Sequence, residues 1–482
     1  MALNYYVDNV DGNDNQAVGS EVAPFGTMRC ALSQTPDGDQ QAHIWVKKTT
    51  RNYNFFSVQT SFTVTLDISL KRLWWSGTPT PLASWVGLRM FPTGGTHNFG
   101  TDKGWSITDY GVADTNYFYR NWIEIDCSAA ATASGMTIAI SDQGSDGLSL
   151  DFDGSMAYNK WVEVEGYNTT IGDMSNRGAY WQEVHDAYIN GIDADCIIEC
   201  DFTGNGSSNW LYETSYTDNM IFRNFYVSNI ENEPICVTSG DNFVFERCYF
   251  SSSHDNVYYD GMDRITFIEC IIISSDTGTP MTAYDLCFSY GCIFEGLNTT
   301  HVVLVNDNGL HCSVNDTYVG GEQAHVSINV GTTFMVNGTT YNSTERAGVV
   351  YNSSVEIYLN TIFMPDEDSV QAAFTCLGGG GGSMLPINCC IWGSGGGAVV
   401  PLYYNTHLTP RESDNGTKPY LLEENPDFVD VTEGATGNNY RVKNGNLLQK
   451  GFSNMALGAV RQGYKFIKRS IQGNRGRTKT VR

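Results

Sequence analysis

A short alternation of apolar and polar positions returns five times between residues 195 and 294. Each copy has an apolar residue, two variable residues, a small or aromatic residue, one variable residue and a large apolar residue. The copies occupy residues 197–202, 222–227, 245–250, 267–272 and 289–294, and their fourth positions are Cys200, Phe225, Cys248, Cys270 and Cys292. The spacings of 25, 23, 22 and 22 residues are typical of a solenoid, in which each coil buries its face against its neighbours.

Within each copy the alternation has the period of a β-strand, with the first, fourth and sixth positions pointing inward. Parallel pairing of equivalent strands, about 4.8 Å apart, stacks equivalent side chains into ladders. We therefore expect Cys248, Cys270 and Cys292 to form one internal ladder. The outward position before it would place Arg247 beside Glu269, which predicts a surface ion pair of little energetic value.

The cysteines favour a reduced interior over disulfides or a metal site. The chain has 13 of them, an odd number, and no Cys-x-x-Cys pair. Several fall at equivalent positions of successive coils, where a free thiol acts as a small buried apolar group. The same pattern returns at residues 387–392, where Cys390 is predicted to take the ladder position.

Composition agrees with an all-β chain. Helical periodicity is scarce, Gly numbers 50, and Tyr and Phe are frequent between clusters of turn residues. No apolar run is long enough for a transmembrane helix. The opening residues lack a basic stretch followed by an apolar core, so we expect a protein that does not use the general secretion route, unless a signal has been removed.

Charge divides the chain into two parts. It carries 28 basic and 53 acidic residues, a net charge of −25. Residues 461–482 hold eight of the basic residues and no acid, which leaves residues 1–460 at −33. So acidic a body is unsuited to nucleic acid or anionic membranes. The tail is predicted to dock on an acidic partner through Lys465, Phe466, Lys468, Arg469, Arg475, Arg477, Lys479 and Arg482.

Both ends of the chain carry recognisable segments. Residues 2–48 contain a tyrosine-rich strand at 5–7, a turn cluster, Ala23-Pro24-Phe25-Gly26-Thr27, a short amphipathic segment at 28–32 and a strand at 43–47. Residues 425–460 contain Pro-Asp-Phe-Val-Asp at 426–430, Tyr-Arg-Val at 440–442 and Leu-Gly-Ala-Val at 457–460. These segments resemble the caps of right-handed parallel β-helix proteins of the pectate-lyase-like superfamily, most like phage and viral structural proteins. Residues 446–450 depart from the usual pattern of the closing cap.

The predicted fold is an all-β, right-handed parallel β-helix solenoid with caps and irregular insertions. Residues 1–48 form the N-terminal cap and first coil, 49–160 an irregular aromatic-rich β region, 161–400 the coils, 401–460 the C-terminal cap and 461–482 the basic docking tail. In the irregular region, residues 122–127 and 161–167 are predicted as strands of early coils. Its tryptophans are predicted to pack in a core in preference to lining a sugar-binding groove.

The resemblance implies enzymes that cleave polysaccharides, with paired carboxylates or with Ca²⁺ and a basic residue. The most acidic cluster on the regular coils is His254, Asp255, Asp260 and Asp263, with Arg264 adjacent. These residue types are also the expected turn formers, and the lyases' ladder of calcium-binding carboxylates does not appear. We therefore assign no catalytic residue, no metal site and no cofactor.

Three functional classes remain. The favoured class is a virion structural protein of a phage, a surface spike, fibre or capsid decoration that is made in the host cytoplasm and displayed on the virion surface. It would assemble through the basic tail with other virion proteins or copies of itself, as a homotrimer, and could contact a host-surface glycan. It would bind no nucleic acid and insert into no membrane. The alternatives are a polysaccharide lyase or glycoside hydrolase, and a bacterial surface adhesin.

Overall fold

The computed structural model describes most of the chain before residue 365 and short segments after it. The described residues are 2–15, 18–35, 41–55, 57–99, 103–115, 120–128, 131–144, 148–150, 161–174, 197–202, 209–213, 218–230, 233–237, 240–252, 257–259, 264–275, 278–341, 343–359, 361–364, 374–377, 383–387, 389–391, 403–404, 421–422, 428–430 and 439–442. Nearly all regular structure in them is β, and a parallel β-solenoid is confirmed. None of the helices they contain is long and apolar enough to cross a membrane.

The chain divides into two compact units. Unit 1 comprises residues 1–176 and 194–239, and unit 2 comprises residues 177–193 and 240–482. Each unit contains three ladders of parallel strands, which we call its first, second and third sheets.

Unit 1 builds its solenoid from strands that are far apart in sequence. The first sheet contains Leu3–Val7, Ala42–Lys47, Val162–Tyr167 and Met220–Arg223. The second contains Leu148–Leu150, Leu211–Glu213 and Ile235–Val237, and the third contains Tyr53–Asn54, Ile198–Asp201 and Phe225–Ile230. The predicted N-terminal elements are confirmed, including a helix at Met28–Ser33 whose N-cap hydroxyl, Thr27 Oγ1, accepts a hydrogen bond from Cys30 N at 3.1 Å.

Residues 57–141 of unit 1 form a closed antiparallel sheet, which the sequence pattern did not reveal. Its strands, in sheet order, are Ser57–Asp67, Arg72–Trp75, Arg120–Ile125, Trp105–Asp114, Arg89–His97 and Ala133–Ser141. A short 3₁₀ helix at Ala83–Trp85 lies among them. The prediction that residues 122–127 belong to an early coil is therefore wrong, whereas Val162–Tyr167 does lie in the solenoid.

The closed sheet has its own apolar core. Trp75, Trp85 and Trp105 are buried in it, as the core-packing interpretation predicted. Trp74 differs, because it lies beneath the guanidinium of Arg120, 3.5 Å from the ring centroid. Such a stack adds a modest cation–π attraction.

Unit 2 adds one strand to each sheet per coil. Its first sheet contains Phe243–Glu246, Arg264–Ile268, Leu286–Tyr290, Leu310–Val314, Thr332–Val336, Val355–Leu359 and Ser383–Ile387. Its second contains Val257–Tyr259, Met281–Ala283, His301–Val305, Gln323–Ser327, Arg346–Tyr351, Phe374–Leu377 and Tyr403–Tyr404. Its third contains Tyr249–Ser252, Ile271–Ser274, Ile293–Gly296, Thr317–Gly320, Thr339–Tyr341, Ile362–Met364, Cys389–Ile391 and Leu421–Leu422. Phe428–Asp430 and Asn439–Val442 form a separate antiparallel pair.

The repeat that the sequence shows is two short strands joined by a corner, not one strand. In unit 2 the corner residue has a left-handed backbone, with φ of 54° at Arg247 and Glu269, 65° at Gly291, 59° at Asn315 and 54° at Asn337. Gly and Asn tolerate this region best. The prediction of outward-facing Arg247 and Glu269 is wrong, because the corner turns both side chains into buried positions, 6% and 2% exposed.

The cysteine ladder is confirmed. Cys248, Cys270 and Cys292 are 2%, 0% and 1% exposed, and Cys270 N lies 3.5 Å from Cys292 Sγ. The ladder position predicted for Cys390 is wrong by one residue. Cys390 pairs with Ile362, which follows the ladder position of its own coil, so the ladder residue of the last coil is Cys389, and it is fully buried.

The first copy of the repeat, in unit 1, is also aligned differently. Ile198 pairs with Phe225, so Cys200 is not its equivalent. A count of spacings between cysteines hides this shift of two residues. The ten cysteines whose side chains the structure describes are free thiols.

Candidate functional site

An outward-facing group of charged and aromatic side chains lies on the first sheet of unit 1. We call His43, Trp45, Glu163, Glu165 and Arg223 the outer cluster. Register places Glu163 beside His43, and Glu165 between Trp45 and Arg223. The alternating residues of the same strands, such as Ile44, Val164 and Phe222, are fully buried and hold the sheet on its core.

Ion pairs tie the outer cluster together. Arg223 Nη1 lies 2.6 Å from Glu163 Oε2 and 3.4 Å from Glu165 Oε2. His43 Nε2 lies 3.5 Å from Glu165 Oε2 on the other side. Gln41 Nε2 donates a hydrogen bond of 3.2 Å to Glu163 Oε1. One guanidinium therefore serves two carboxylates, and it leaves the cluster with a net negative charge when His43 is neutral.

The aromatic part of the cluster is a half-buried indole. Trp45 stacks on His43 with ring centroids 3.6 Å apart and an interplanar angle of 19°. Its Nε1 donates a hydrogen bond of 3.3 Å to Asn4 Oδ1, and Tyr6 lies beside it in register. A fixed aromatic ring next to charged hydrogen-bonding groups can bind a molecule that has both apolar faces and hydroxyl groups.

The two carboxylates are near enough for paired acid–base chemistry. Because both oxygens contact the same Arg223 nitrogen, at 2.6 and 3.4 Å, they lie within about 6 Å of each other. The side chains of Glu163 and Glu165 are 20% and 8% exposed. A substrate would have to compete with Arg223 for both groups, so the geometry supports binding more directly than proton transfer.

A second polar constellation is enclosed by the coils of unit 2. We call it the inner network; it consists of Ser289, His311, Ser313, Asp316, Tyr318, His325, Ser327, Thr333, Glu356 and Tyr358. These side chains point inward from the first and third sheets and, for His325 and Ser327, from the second. All of them are at most 2% exposed.

Asp316 anchors one end of the inner network. It occupies the position that Cys248, Cys270 and Cys292 hold in the preceding coils, directly after the corner residue Asn315. Its Oδ1 accepts a hydrogen bond of 2.7 Å from Cys292 N. Its Oδ2 accepts hydrogen bonds from Ser289 Oγ and Ser313 Oγ at 2.5 and 2.7 Å.

Glu356 anchors the other end. Its Oε1 accepts a hydrogen bond of 2.9 Å from Ser327 Oγ, and its Oε2 accepts a short one from the hydroxyl of Tyr358. Space for both side chains comes from Gly348, where a Cβ would lie 2.7 Å from the Tyr358 hydroxyl oxygen and 3.2 Å from Glu356 Oε2.

Two histidines connect the carboxyl groups. His311 Nε2 lies 2.7 Å from Ser289 Oγ, and His311 Nδ1 lies 3.2 Å from His325 Nε2. Their rings stack at a centroid distance of 5.4 Å. His325 Nδ1 then lies 3.5 Å from Glu356 Oε1. The contacts form a continuous polar chain from Asp316 to Glu356.

Burial shifts the pKa of the acids and histidines of the inner network in the direction that favours their uncharged forms. Desolvation raises the pKa of Asp316 to about 6 and that of Glu356 to about 8, although hydrogen bonds from their neighbours act in the opposite direction. Desolvation also lowers the pKa of His325 to about 3 and, together with the neighbouring His325, lowers the pKa of His311 well below its usual range. Near neutral pH the His325–Glu356 contact therefore joins two uncharged groups.

The inner network cannot meet a substrate. Perturbed pKa values in a cleft often mark an active site, but here the titratable groups have no exposed surface. The network is a structural element of the core. The outer cluster is the site that a ligand can reach.

The candidate site residues predicted from the sequence belong to neither the outer cluster nor the inner network. The acidic turn cluster, His254, Asp255, Asp260 and Asp263, lies outside the described residues, and Arg264 begins a strand of unit 2 with an exposed side chain. All eight tail residues, from Lys465 to Arg482, also lie outside them. Among the described residues no group of three or more potential metal ligands occurs.

Sequence reasoning missed both constellations for identifiable reasons. Alternation marked 161–167 as a strand, but only the pairing with Ala42–Lys47 brings Glu163 to His43. Asp316 could have been found from Asn315-Asp316, which follows the corner pair Gly291-Cys292 by 24 residues. The change of side chain from thiol to carboxylate concealed the equivalence.

Comparison with known proteins yields likeness of fold at low identity. No protein-family model and no curated protein matches the sequence. The structure of XylC with xylose aligns at 9% identity and a TM-score of 0.36, over 81% of this chain and 69% of that one. The tailspike gp61 of Pseudomonas phage phi297 aligns at 10% identity and a TM-score of 0.17, over 74% and 66%. The gp54 tailspike of Acinetobacter baumannii bacteriophage AP22, in complex with a capsular saccharide, aligns at 8% identity and a TM-score of 0.19, over 83% and 67%.

Proposed function

We propose that the protein is a structural component of a phage particle that binds a glycan of the host surface through its outer cluster. The observation that supports glycan binding is the outer cluster itself, in which an indole, an imidazole, a guanidinium and two carboxylates share one outward face. Ring stacking and charge-assisted hydrogen bonds are the two contacts that a sugar ring with hydroxyl groups requires. A negatively charged cluster favours a neutral or amino sugar over an acidic one.

Binding without cleavage is the preferred form of this proposal. Arg223 holds Glu163 and Glu165 at once, so neither carboxylate is poised over an empty position where a glycosidic oxygen would sit. The other acid–histidine constellation of the described residues is sealed in the core.

Glycoside hydrolysis is the second candidate, and one observation favours it. The upper limit of about 6 Å on the distance between the two carboxylate oxygens excludes the spacing of an inverting mechanism and allows a retaining one, in which one carboxyl group is the nucleophile and the other the acid. This role requires a substrate that displaces Arg223 from at least one of them.

Binding and turnover can be tested together. The full chain is incubated with a panel of neutral, amino and acidic bacterial oligosaccharides, and binding is measured by calorimetry while new reducing ends are assayed. We expect binding that Trp45→Ala weakens by about tenfold or more, without release of reducing ends. Trp74→Ala, which changes a tryptophan of the closed sheet, is the matched control. Turnover that Glu163→Gln and Glu165→Gln both abolish would make the hydrolase the primary function, and no binding to any member of the panel would reject both.

Attachment to the particle is the role we propose for the basic tail. Its eight positive charges oppose a body of −33, and arginine pairs with carboxylates in a planar, two-point contact. Within a homotrimer displayed on the virion, such a tail would dock on an acidic neighbour. Deleting residues 463–482 should leave a soluble, folded protein. This truncated protein should no longer attach to phage particles from which the full-length protein is missing. Attachment that is unchanged in strength and salt dependence would remove the tail from the proposal.

A further inference from the structure

Over four consecutive strands of the first sheet of unit 2 the outward side is apolar, unlike the outward side of the first sheet of unit 1. Along its strands inward residues are buried and outward residues are partly exposed. The outward positions of Leu286–Tyr290, Leu310–Val314, Thr332–Val336 and Val355–Leu359 hold no charged residue. We call these outward positions the apolar face. Its middle row is Phe288, Cys312, Phe334 and Ile357, aligned in register.

The apolar face is open to solvent. Phe288 and Phe334 are 38% and 39% exposed, among the most exposed large aromatic side chains of the described residues. They stand two strands apart and flank Cys312. A flat apolar sheet surface of this kind costs free energy in water, and soluble proteins seldom leave one uncovered without a function.

The size of the face is that of a protein contact. Four strands about 4.8 Å apart, each about 17 Å long, project about 300 Å². Val244 and Ile268 extend it in part onto the two preceding strands, which also carry Thr266, Glu246 and Arg264 outward; all six strands together project about 500 Å². Side-chain relief raises the accessible area further, towards the 600–800 Å² or so that each partner contributes to a specific interface.

Charge favours another copy of this chain as the partner. A protein of net charge −25 repels its own copies, so outside the basic tail their close approach is favoured where the facing surfaces carry no charge. The apolar face satisfies that condition, and its rows repeat at the strand spacing on every copy. A basic or acidic partner would gain nothing from it, because it offers no group for an ion pair.

We propose that the apolar face packs against the same face of other copies of this chain. The proposal rests on the homo-oligomer included in the proposed function and names the surface that forms it. Phe288 and Phe334 are the central anchors, and Glu246 and Arg264 form part of a polar rim, the usual arrangement of an interface. Contact through this face does not require the basic tail.

The first test compares the mass in solution of the full chain and of two charged variants. The wild type should be an oligomer by sedimentation, and Phe288→Lys and Phe334→Lys should each weaken association by about 30-fold or more. Leu297→Lys is the matched control, since Leu297 is an exposed apolar residue of unit 2 away from the face, 47% exposed. A monomeric wild type, or variants that associate as the wild type does, would overturn the proposal.

Thiol labelling gives a second measurement on the unaltered protein. Cys312 on the face and Cys236 in unit 1 are the two that are only partly buried among the ten cysteines whose side chains the structure describes. Alkylation of Cys312, followed by peptide mass spectrometry, should slow as the protein is concentrated, whereas alkylation of Cys236 should not. Equal behaviour of the two thiols would contradict the proposal even if a lysine variant failed to fold. Glycan binding by Phe288→Lys should stay unchanged, which separates this contact from the function of the outer cluster.

Discussion

The outer cluster of unit 1 and the inner network of unit 2 use the same chemical groups, the first on the outward side of its sheet and the second on the inward side of its own sheets. Each combines two carboxyl groups with histidine. Outside, Glu163 and Glu165 share Arg223 and remain within reach of water. Inside, Asp316 and Glu356 have no lysine or arginine partner in the part of the chain that the structure describes, and accept hydrogen bonds from hydroxyls and a backbone amide instead.

The difference follows from the two-residue period of a strand. A shift of one position moves a side chain from solvent, which stabilises its charged form, to the core, which favours its uncharged form. A buried carboxyl group is tolerable when it can be protonated or when several donors surround it. Side-chain type alone therefore does not say whether an acid serves a ligand or the fold.

The largest effect is expected where a carboxylate is placed in the core without donors. Cys270 occupies the ladder position of Asp316, but Phe245 and Phe267 lie at the inward positions where Asp316 has hydroxyl partners. Cys270→Asp should lower the free energy of unfolding by about 3–5 kcal/mol in urea titrations. Cys270→Ala, the control for lost volume, should cost about 1 kcal/mol. If Cys270→Asp lowered the free energy of unfolding no more than Cys270→Ala does, burial would not explain the difference between the outer cluster and the inner network.

A pH dependence should distinguish Glu356 from every surface acid. Its pKa is about 8 in the folded state, above the ordinary 4.5, so its contribution to stability is complete below pH 4.5 and is lost as the pH rises to 8. Asp316 loses its contribution earlier, between pH 3.8 and about 6. His325 acts oppositely, since its pKa falls from 6.5 to about 3 and its contribution is lost as the pH falls below 6.5.

Between pH 6.5 and 8 only Glu356 of these groups still titrates. Its share of the free energy of unfolding should decline by about 2 kcal/mol over that interval. Glu356→Gln, which resembles the protonated carboxyl group, should remove this decline. The measurement is the difference in urea stability between wild type and variant at several pH values, and parallel curves would mean that Glu356 is not protonated in the fold.

The smallest effect is expected outside. Arg223→Gln leaves Glu163 and Glu165, whose side chains are 20% and 8% exposed, without the cation they share, which should cost about 1 kcal/mol and should diminish in salt. Arg264→Gln, at an exposed strand start of unit 2, is the matched control and should be near neutral. If Arg223→Gln lowered the free energy of unfolding several times more than this, and independently of salt, the outer cluster would stabilise the protein as a buried ion pair does.

The repeating part of the fold could be predicted because its cause is local. A period of 22 residues and inward thiols at Cys248, Cys270 and Cys292 are sufficient to define parallel coils. The corner at Arg247 and Glu269 was missed because neither residue type favours a left-handed backbone, whereas Asn315 and Asn337 do. Four tryptophans of the closed sheet, Trp75, Trp85, Trp105 and Trp122, were correctly expected to be buried, but the pairing of its strands could not be inferred.

The sites were harder to predict than the fold. The outer cluster joins His43 to Glu163, which are 120 residues apart, and no pattern within either strand specifies the partner. The inner network depends on which of two alternating positions faces inward, and the register was lost after Phe294 for want of a repeated thiol. The sequence pattern therefore lacked two pieces of information: which distant strand pairs with which, and which of the alternating residues of each strand face inward.

The insertion of the closed sheet has a consequence for synthesis. Strand Ala42–Lys47 pairs with Val162–Tyr167, yet the whole closed sheet is translated between them. At roughly 5–20 residues per second, the first of these strands waits about 6–24 s for its neighbour on the ribosome. During that interval its edge is covered on one side only, by Leu3–Val7, and it is open to a chaperone or to another nascent chain. In unit 2 each new strand follows its neighbour by only about 22 residues, so the delay is about 1–4 s, and growth can proceed coil by coil.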